Sequence, residues 1–276
     1  MTNYKSLILG VSIITISYFI FFLGFIFDEN SSGGGRIDFE HTLSTIKVFK
    51  EGILNALSDT RYESSRPPLF AILNKLNPFN YSDYSLRISN LVFNSLIPIF
   101  FYIFIKKQNN FDKHVALIIT SLIILSPYFR TTSYWALEEN LPFLFFFITL
   151  IILPQKKVSY RNIILVAFFS SLSVYSDQKF IFLSLFTYLY FLGFKNNSIK
   201  DFTYISLVYF LTAIPFFYLV YVWNGITPPQ ASYRFNLTFD NISYIVSIIN
   251  FYSKTNFLII IIPTCPFFNF VLKDAI

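Results

Sequence analysis

SLILGVSIITISYFIFFLGFIF, residues 6–27, is the stretch whose reading decides the fold. It carries no charge and has the length that crosses a bilayer core, for which a helix needs about 20 apolar residues. DENSSGGGRIDFEHTLS, residues 28–44, follows at once. No small-x-small cleavage site separates the two, so the run reads as a retained anchor rather than a signal peptide. The polar stretch after it places three glycines before Arg36, Asp38, Glu40 and His41. It is either a solvated loop capping the next helix or a site at the membrane surface.

The rest of the chain has the same character. Of its 276 residues, 54% are hydrophobic and 13% charged, with a mean hydropathy of +0.56. A soluble domain carries about 25% charged residues, so this composition belongs to a membrane protein. The 37 Phe and 19 Tyr read as lipid-facing side chains rather than as a cofactor box. The net charge is +6, but no segment concentrates it into a basic stripe, which excludes a nucleic-acid partner. A single cysteine, Cys265, rules out an internal disulfide and a cysteine-based metal cluster.

Scanning for bilayer-length apolar runs gives spans near 6–27, 84–105, 114–129, 138–153, 161–176, 179–194, 202–222 and 257–272. The expected fold class is therefore an all-α membrane protein of about eight transmembrane helices, with residues 1–276 forming one polytopic domain. The pair 161–176 and 179–194, parted only by Asp177 and Gln178, is either two tilted helices or a re-entrant hairpin. Basic residues set the orientation. Lys106, Lys107, Lys113, Lys156, Lys157, Arg161, Lys195 and Lys200 fall in three loops on one side of the eight-span layout. Lys5 joins them, which puts the N-terminus on the cytoplasmic side. All acidic residues except Asp112, Asp201 and Asp274 fall on the other side, periplasmic or lumenal, at a bacterial inner membrane or the endoplasmic reticulum.

Two outer loops are long, 28–83 and 223–256. In the first, Phe39, Leu43, Ile46, Phe49, Ile53, Leu54 and Leu57 recur at helical spacing, which predicts an amphipathic helix in the membrane interface. PLFAILNKL, 68–76, predicts a second short interfacial helix with Pro67 or Pro68 in its first turn.

Four polar clusters sit at outer helix ends. Asp38 and Glu40 are either a helix cap and a first-turn acid or a general base at the membrane surface. His41, one helical turn from Asp38, shares its face, and the two are weak candidate ligands for a metal. Arg66, in SSRPPLF, is either solvated or a phosphate grip whose planar fork is fixed by the prolines. Glu138 and Glu139 open a span, with Arg130 on the same short loop. They either complement the helix dipole or mark a functional site beside an apolar span. Gln178 and Lys179, between two apolar runs, are turn residues or donors for a sugar or phosphate.

In their order along the chain these motifs resemble the GT-C superfamily of polytopic glycosyltransferases, which use polyprenyl-phosphate-linked sugars. The resemblance rests on an acidic residue after the first span (GGGRIDFEH), an outer loop with two interfacial helices, and Arg66-Pro67-Pro68-Leu69 before the second span. TSYWALEEN at the fourth span and Ser176-Asp177-Gln178-Lys179 after the fifth complete it. The family's acidic pair is adjacent, whereas Asp38 and Glu40 flank Phe39; adjacent Asp28 and Glu29 are the competing pair. Relatives continue past the eighth span, so the resemblance implies that the C-terminal part is missing.

The resemblance implies an inverting transfer of one sugar from a polyprenyl phosphate to a lipid, glycan or protein acceptor. Asp38 is the expected catalytic base and Glu40 its alternate. Arg66, Arg130 or Lys179 would stabilise the phosphate leaving group, and Glu138, Glu139 and Gln178 would orient the sugar. Mg²⁺ or Mn²⁺ is an optional cofactor, held by Asp38 and His41. The alternatives are a transporter or flippase for lipid-linked sugars and a non-catalytic truncated subunit. Transport favours polar groups at mid-span, where this chain has mostly Phe, Ile and Leu, with Asn90 and Asn94 as exceptions.

Overall fold

The computed structural model describes residues 2–228 apart from 32, 63, 110, 155–157 and 195–197. The predicted span 257–272 and most of the outer loop 223–256 lie outside the described residues. Every regular element described is helical.

Helix α1 (Thr2–Ile26) takes up the first apolar run. Its side chains Ile8, Leu9, Ile16, Phe19 and Phe22 stay exposed. So do Phe202, Leu207, Phe210, Ile214 and Phe217 of the last described helix. Apolar exposure on this scale marks a surface that meets something other than water. The outer segment holds α2 (Gly35–Glu51), α3 (Ile53–Ala56) and α4 (Leu69–Leu76). Then α5 (Asp83–Ser95) and α6 (Ile97–Asn109) run on as one apolar stretch, Asp83–Lys107. Helices α7 (Lys113–Leu125) and α8 (Pro127–Tyr134) are bent against each other by 59°. The bend has a local cause: Ser126 precedes proline and takes ψ 122°, because the proline ring drives the preceding residue out of the helical region. Next come α9 (Leu141–Ile152), α10 (Tyr160–Ser176), α11 (Ile181–Phe194) and α12 (Ile199–Trp223).

Among the described residues three helices, Tyr4–Ile26, Asp83–Lys107 and Ile199–Trp223, are long and apolar enough to cross a membrane, and the bent α7–α8 pair adds a fourth when taken as one span. Of the other expected spans among the described residues, 161–176 is helical throughout as the 17-residue α10, while 138–153 and 179–194 are shorter as helices. Helix α9 has 12 residues, about 18 Å at 1.5 Å per residue. The apolar run beginning at 138 opens instead as a tight 3₁₀ turn, Glu138–Asn140. Likewise Gln178–Phe180 forms a 3₁₀ turn ahead of the 14-residue α11.

In the bundle α1 packs on α7, α7 on α6, α6 on α9, and α9 on α10, which also meets α11 and α12. Buried Ala167, Ser170, Ser171 and Ser173 on α10 let its backbone approach closely, as small residues do between membrane helices. The Ser173 hydroxyl donates to the Pro142 carbonyl at 2.6 Å. Side chains also tie each end of the bundle together. At one end Lys107 donates to the Ile151 carbonyl, Tyr190 to the Pro154 carbonyl, and Tyr160 to Asp201 at 2.9 Å. These contacts belong to the segments predicted to be basic. At the other end stand Asp28, Glu29, Arg66, Arg130, Glu138 and Asp177.

The amphipathic helix differs from its expected setting. Phe39, Ile46, Val48 and Phe49 of α2 are buried within the protein itself. Phe39 meets the ring of Trp135 and Phe49 that of Tyr62, at centroid separations of 6.1 and 5.2 Å. Sequence periodicity identifies an apolar face but not what covers it; here the chain's own aromatic side chains do. The helix also begins earlier than expected, so Asp38 lies in its first turn and does not cap it.

The three glycines separate into two roles. Gly33 and Gly34 both take φ +71°, a left-handed conformation that side chains disfavour. Gly35 is needed for space: a Cβ there would lie 2.6 Å from Thr131 Cγ2 and 2.9 Å from Trp135 Cδ1. Gly35→Ala is therefore expected to destabilise the protein by about 1–3 kcal/mol, the usual cost of overpacking. Thermal unfolding of detergent-solubilised protein checks this; an unchanged midpoint would show that the α2–α8 contact yields freely.

Candidate functional site

Arg66 is the centre of the outer end. It follows Tyr62, whose hydroxyl donates to the Arg66 carbonyl, and it precedes two buried prolines. The main chain is thus held on both sides of it. The guanidinium reaches three carboxylates from distant parts of the sequence: Glu139 Oε1 at 2.9 Å, Glu138 Oε1 at 3.1 Å and Asp177 Oδ2 at 3.2 Å. All four side chains are largely buried, none above 19% exposed. Ser64 donates to Glu138 at 2.6 Å, and Gln178 donates through its amide to the Ser65 carbonyl at 3.0 Å. The loop 64–66 is thereby pinned to the starts of α9 and α11.

Local backbone explains how the acids arrive. After α8, Ala136 is fully buried at φ 48°. The Leu137 amide donates back to the Thr132 carbonyl at 3.0 Å, which ends the helix as a Schellman turn does. A non-glycine residue in this region stores roughly 1–2 kcal/mol of strain, and it directs Leu137 and Glu138 out of α8 toward Arg66.

Burial pushes the Glu138 carboxyl above the ordinary carboxylate range. Arg66 pulls against that shift and the neighbouring Glu139 adds to it. Burial by itself would disfavour the Arg66 charge, but Glu139, Glu138 and Asp177 outweigh it and hold the guanidinium firmly protonated.

A cavity of about 460 Å³ opens beside this cluster. One wall is Ser64, Ser65, Arg66, Glu138 and Glu139; the facing wall is Asp38, His41, Thr42 and Thr45 of α2. Those four positions are i, i+3, i+4 and i+7, one face of a helix. Asp38 is exposed, and among the described residues no cation pairs with its carboxylate. Glu40 is exposed and does not line the cavity.

The competing acids have other work. Glu29 accepts from Arg130 Nη2 at 2.6 Å and Nε at 3.1 Å, while Arg130 Nη1 donates to the Leu125 carbonyl at the α7–α8 bend. Burial raises the Glu29 carboxyl, but the hydrogen bonds from Arg130 and Ser31 reverse this and leave it below the usual range. Asp28 accepts from Arg87 at 2.5 Å. Arg87 in turn lies over the Trp135 ring at 4.2 Å and donates to the Tyr134 carbonyl at 2.8 Å. Asp28, Glu29 and Arg130 thus clamp the exit of α1. Lys179 is exposed and lies outside the cavity lining.

Of the residues singled out from sequence, Asp38, His41, Arg66, Glu138 and Glu139 meet at one cavity, with Gln178 behind its wall. Sequence reasoning passed over Thr42 and Thr45, whose signal was a polar stripe on α2 parallel to the apolar one. Asp177, which the sequence offered only as part of the Ser176-Asp177-Gln178-Lys179 element and assigned no role of its own, is 6% exposed and bound to Arg66.

A second, more apolar groove of about 600 Å³ lies between α4 and α5. Phe70 lines both spaces. On its floor Asn90 donates to Asn74 at 3.1 Å.

Fold and site together define an all-helical protein, among the described residues, with three to four helices of membrane-crossing length and an acid-rich cavity at one end of the bundle. Compared with protein-family models, with curated proteins and with solved structures, the chain matches none.

Proposed function

We propose that the chain is the catalytic membrane part of an inverting glycosyltransferase. It takes a sugar from a polyprenyl phosphate and passes it to an acceptor at the outer face. The convergence of Asp38 with the Arg66–Glu138–Glu139 wall around one cavity carries this reading. Asp38 accepts the proton of the acceptor hydroxyl. The acceptor oxygen forms its bond to the anomeric carbon on the face opposite the carrier. The bond from that carbon to the phosphate oxygen breaks, and its electron pair leaves with the polyprenyl phosphate.

Arg66 serves the reading in a second way besides the sequence expectation. Three carboxylates hold its Nε and Nη1, so the guanidinium orders the sugar-binding wall, and Nη2 is left to meet a phosphate. Arg130 is committed to Glu29. Lys179, exposed at the head of α11, is the other candidate for the leaving group. The groove beyond Phe70 supplies an apolar seat for the carrier chain. Asp38 and His41 offer two donors to a divalent ion; among the described residues no group of three or more His, Cys, Asp or Glu stands together as a metal site, and the steps above use side chains alone. An eight-span layout with the cavity periplasmic or lumenal fits the grouping of the basic segments at the opposite end of the bundle.

The Asn74–Asn90 pair, on the groove that shares Phe70 with the cavity, favours a second reading as a flippase for lipid-linked sugars. Incubating purified protein with radiolabelled polyprenyl-phosphate sugars and membrane acceptors separates the two. Labelled acceptor supports transfer. Lipid translocation in vesicles without labelled acceptor supports the flippase.

A further inference from the structure

The groove between α4 and α5 differs from the cavity in carrying no charge. Among the described residues no acid, lysine, arginine or histidine lines it. Leu73, Ile88, Val92 and Phe93 give it apolar walls, and Asn90 and Asn94 of α5 also line it. These two asparagines are one helical turn apart and share a face. Asn94 lies midway along the apolar stretch Asp83–Lys107. The rise from Asp83 to Asn94 puts it about 16 Å from the head of α5, half-way through a bilayer core of about 30 Å.

The hydrogen bonds of the groove leave these two side chains short. Asn74, Asn77, Ser85 and Ser89 are all satisfied within the protein. Asn90 gives its amide N–H groups to Asn74 and to the Leu86 carbonyl, at 3.1 and 3.0 Å, and among the described residues nothing donates to its Oδ1. Asn94, 3% exposed, has no side-chain hydrogen bond among the described residues. These amide atoms are not sealed. The polar atoms closed off without a partner belong to Thr45, Glu139, Gln178 and Ser184, so the little surface Asn94 keeps opens on the groove it lines. An amide left unpaired in an apolar setting is costly, the more so at a depth where the bilayer holds no water. An acceptor on Asn90 with a donor and an acceptor on Asn94 complements an uncharged hydroxyl, which itself donates and accepts.

We infer that the groove binds a neutral single-chain lipid, its hydroxyl held by Asn94 and Asn90 and its chain laid along Leu73, Ile88 and Val92. The uncharged lining disfavours a carboxylate or phosphate in this position, because burying such a group unpaired costs far more than burying a hydroxyl. The volume, about 600 Å³, is of small-molecule size. The inference does not rest on the glycosyl-transfer reading. That reading seats the carrier chain in the same groove. A polyprenyl hydrocarbon fits the apolar walls but leaves Asn94 unpaired, so the neutral lipid competes with it for the seat.

Displacement of radiolabelled 1-hexadecanol from the whole purified chain in detergent tests this apart from turnover. The competitors are 1-hexadecanol, hexadecane, palmitate and hexadecyl phosphate, which share a chain length and differ in the head. Hexadecanol is expected to compete about fivefold or more better than hexadecane, the gain from one or two hydrogen bonds, and better than either anion. Asn94→Leu should bring alcohol and alkane to equal affinity. Its unfolding midpoint without lipid should stay level or rise, because an unpaired amide is gone. Asn94→Ala is read beside it and serves if leucine crowds the groove. No saturable binding, equal affinity of the wild type for alcohol and alkane, or a preference for either anion overturns the inference. So does a preference for the alcohol that survives in both Asn94 variants. A change of oligomeric state in those variants also overturns it and gives the groove to a second copy of the chain.

Discussion

Arg66→Ala is expected to lower the unfolding free energy by about 3–5 kcal/mol, the cost of leaving buried charges without their partner. The reason is the number of groups that depend on it. Glu138 and Glu139 open the turn before α9 and Asp177 follows α10, and this guanidinium binds the two segments' carboxylates together. Arg66→Lys should recover part of the loss, because an ammonium lacks the planar fork that spans three carboxylates. Adding Glu138→Gln to Arg66→Ala should restore stability relative to the single variant, since one uncompensated acid is then gone; the pair is coupled and not additive.

The pH dependence follows from the same contacts. Glu138 has a folded pKa above its unfolded value. The folded state then holds the extra proton, so this group's contribution is present below the ordinary carboxylate pKa and is lost as pH rises through the raised value. Glu138→Gln should flatten that slope. Chemical or thermal unfolding across pH in detergent measures both effects. A loss below about 1 kcal/mol for Arg66→Ala would place the cluster in contact with water and remove its ordering role.

Arg66 was visible in the sequence because an arginine beside two prolines after an amphipathic helix is unusual, but its partners were not. Nothing in VYSDQKF tells that Asp177 is buried, since burial there depends on a loop more than a hundred positions away. The acid pair at 138–139 was legible as a helix opening. That it would form a 3₁₀ turn, shortening α9, depended on the buried left-handed Ala136 before it. Long uninterrupted runs such as 6–27 were read directly, because a charge-free run of that length has few alternatives. The face of α2 was read from its apolar half alone. The polar half, with Thr42 and Thr45, has the same period and became informative only once Glu139 was seen across the cavity.

Asp38→Asn is expected to abolish sugar transfer, by a factor of about 100 or more, while leaving the folded protein intact. A positioned general base contributes 10²–10⁴ in rate, and asparagine keeps the size of the side chain but cannot take the proton. Folding should not suffer, because Asp38 is exposed and no cation pairs with it among the described residues. The contrast that gives the experiment its force is Glu29→Gln. Glu29 has its hydrogen bonds to Arg130 and holds the exit of α1, so its loss should lower thermal stability while transfer at permissive temperature persists. Glu40→Gln should leave both unchanged, because Glu40 lies outside the cavity. If instead Asp38→Asn transfers at the wild-type rate and Glu29→Gln does not, the base belongs to the adjacent pair after α1. The Arg130 contact would then be a resting state that opens on substrate binding. If no variant, nor the wild type, transfers from any donor while all remain folded, the cavity is a binding site and the flippase reading is the one to pursue.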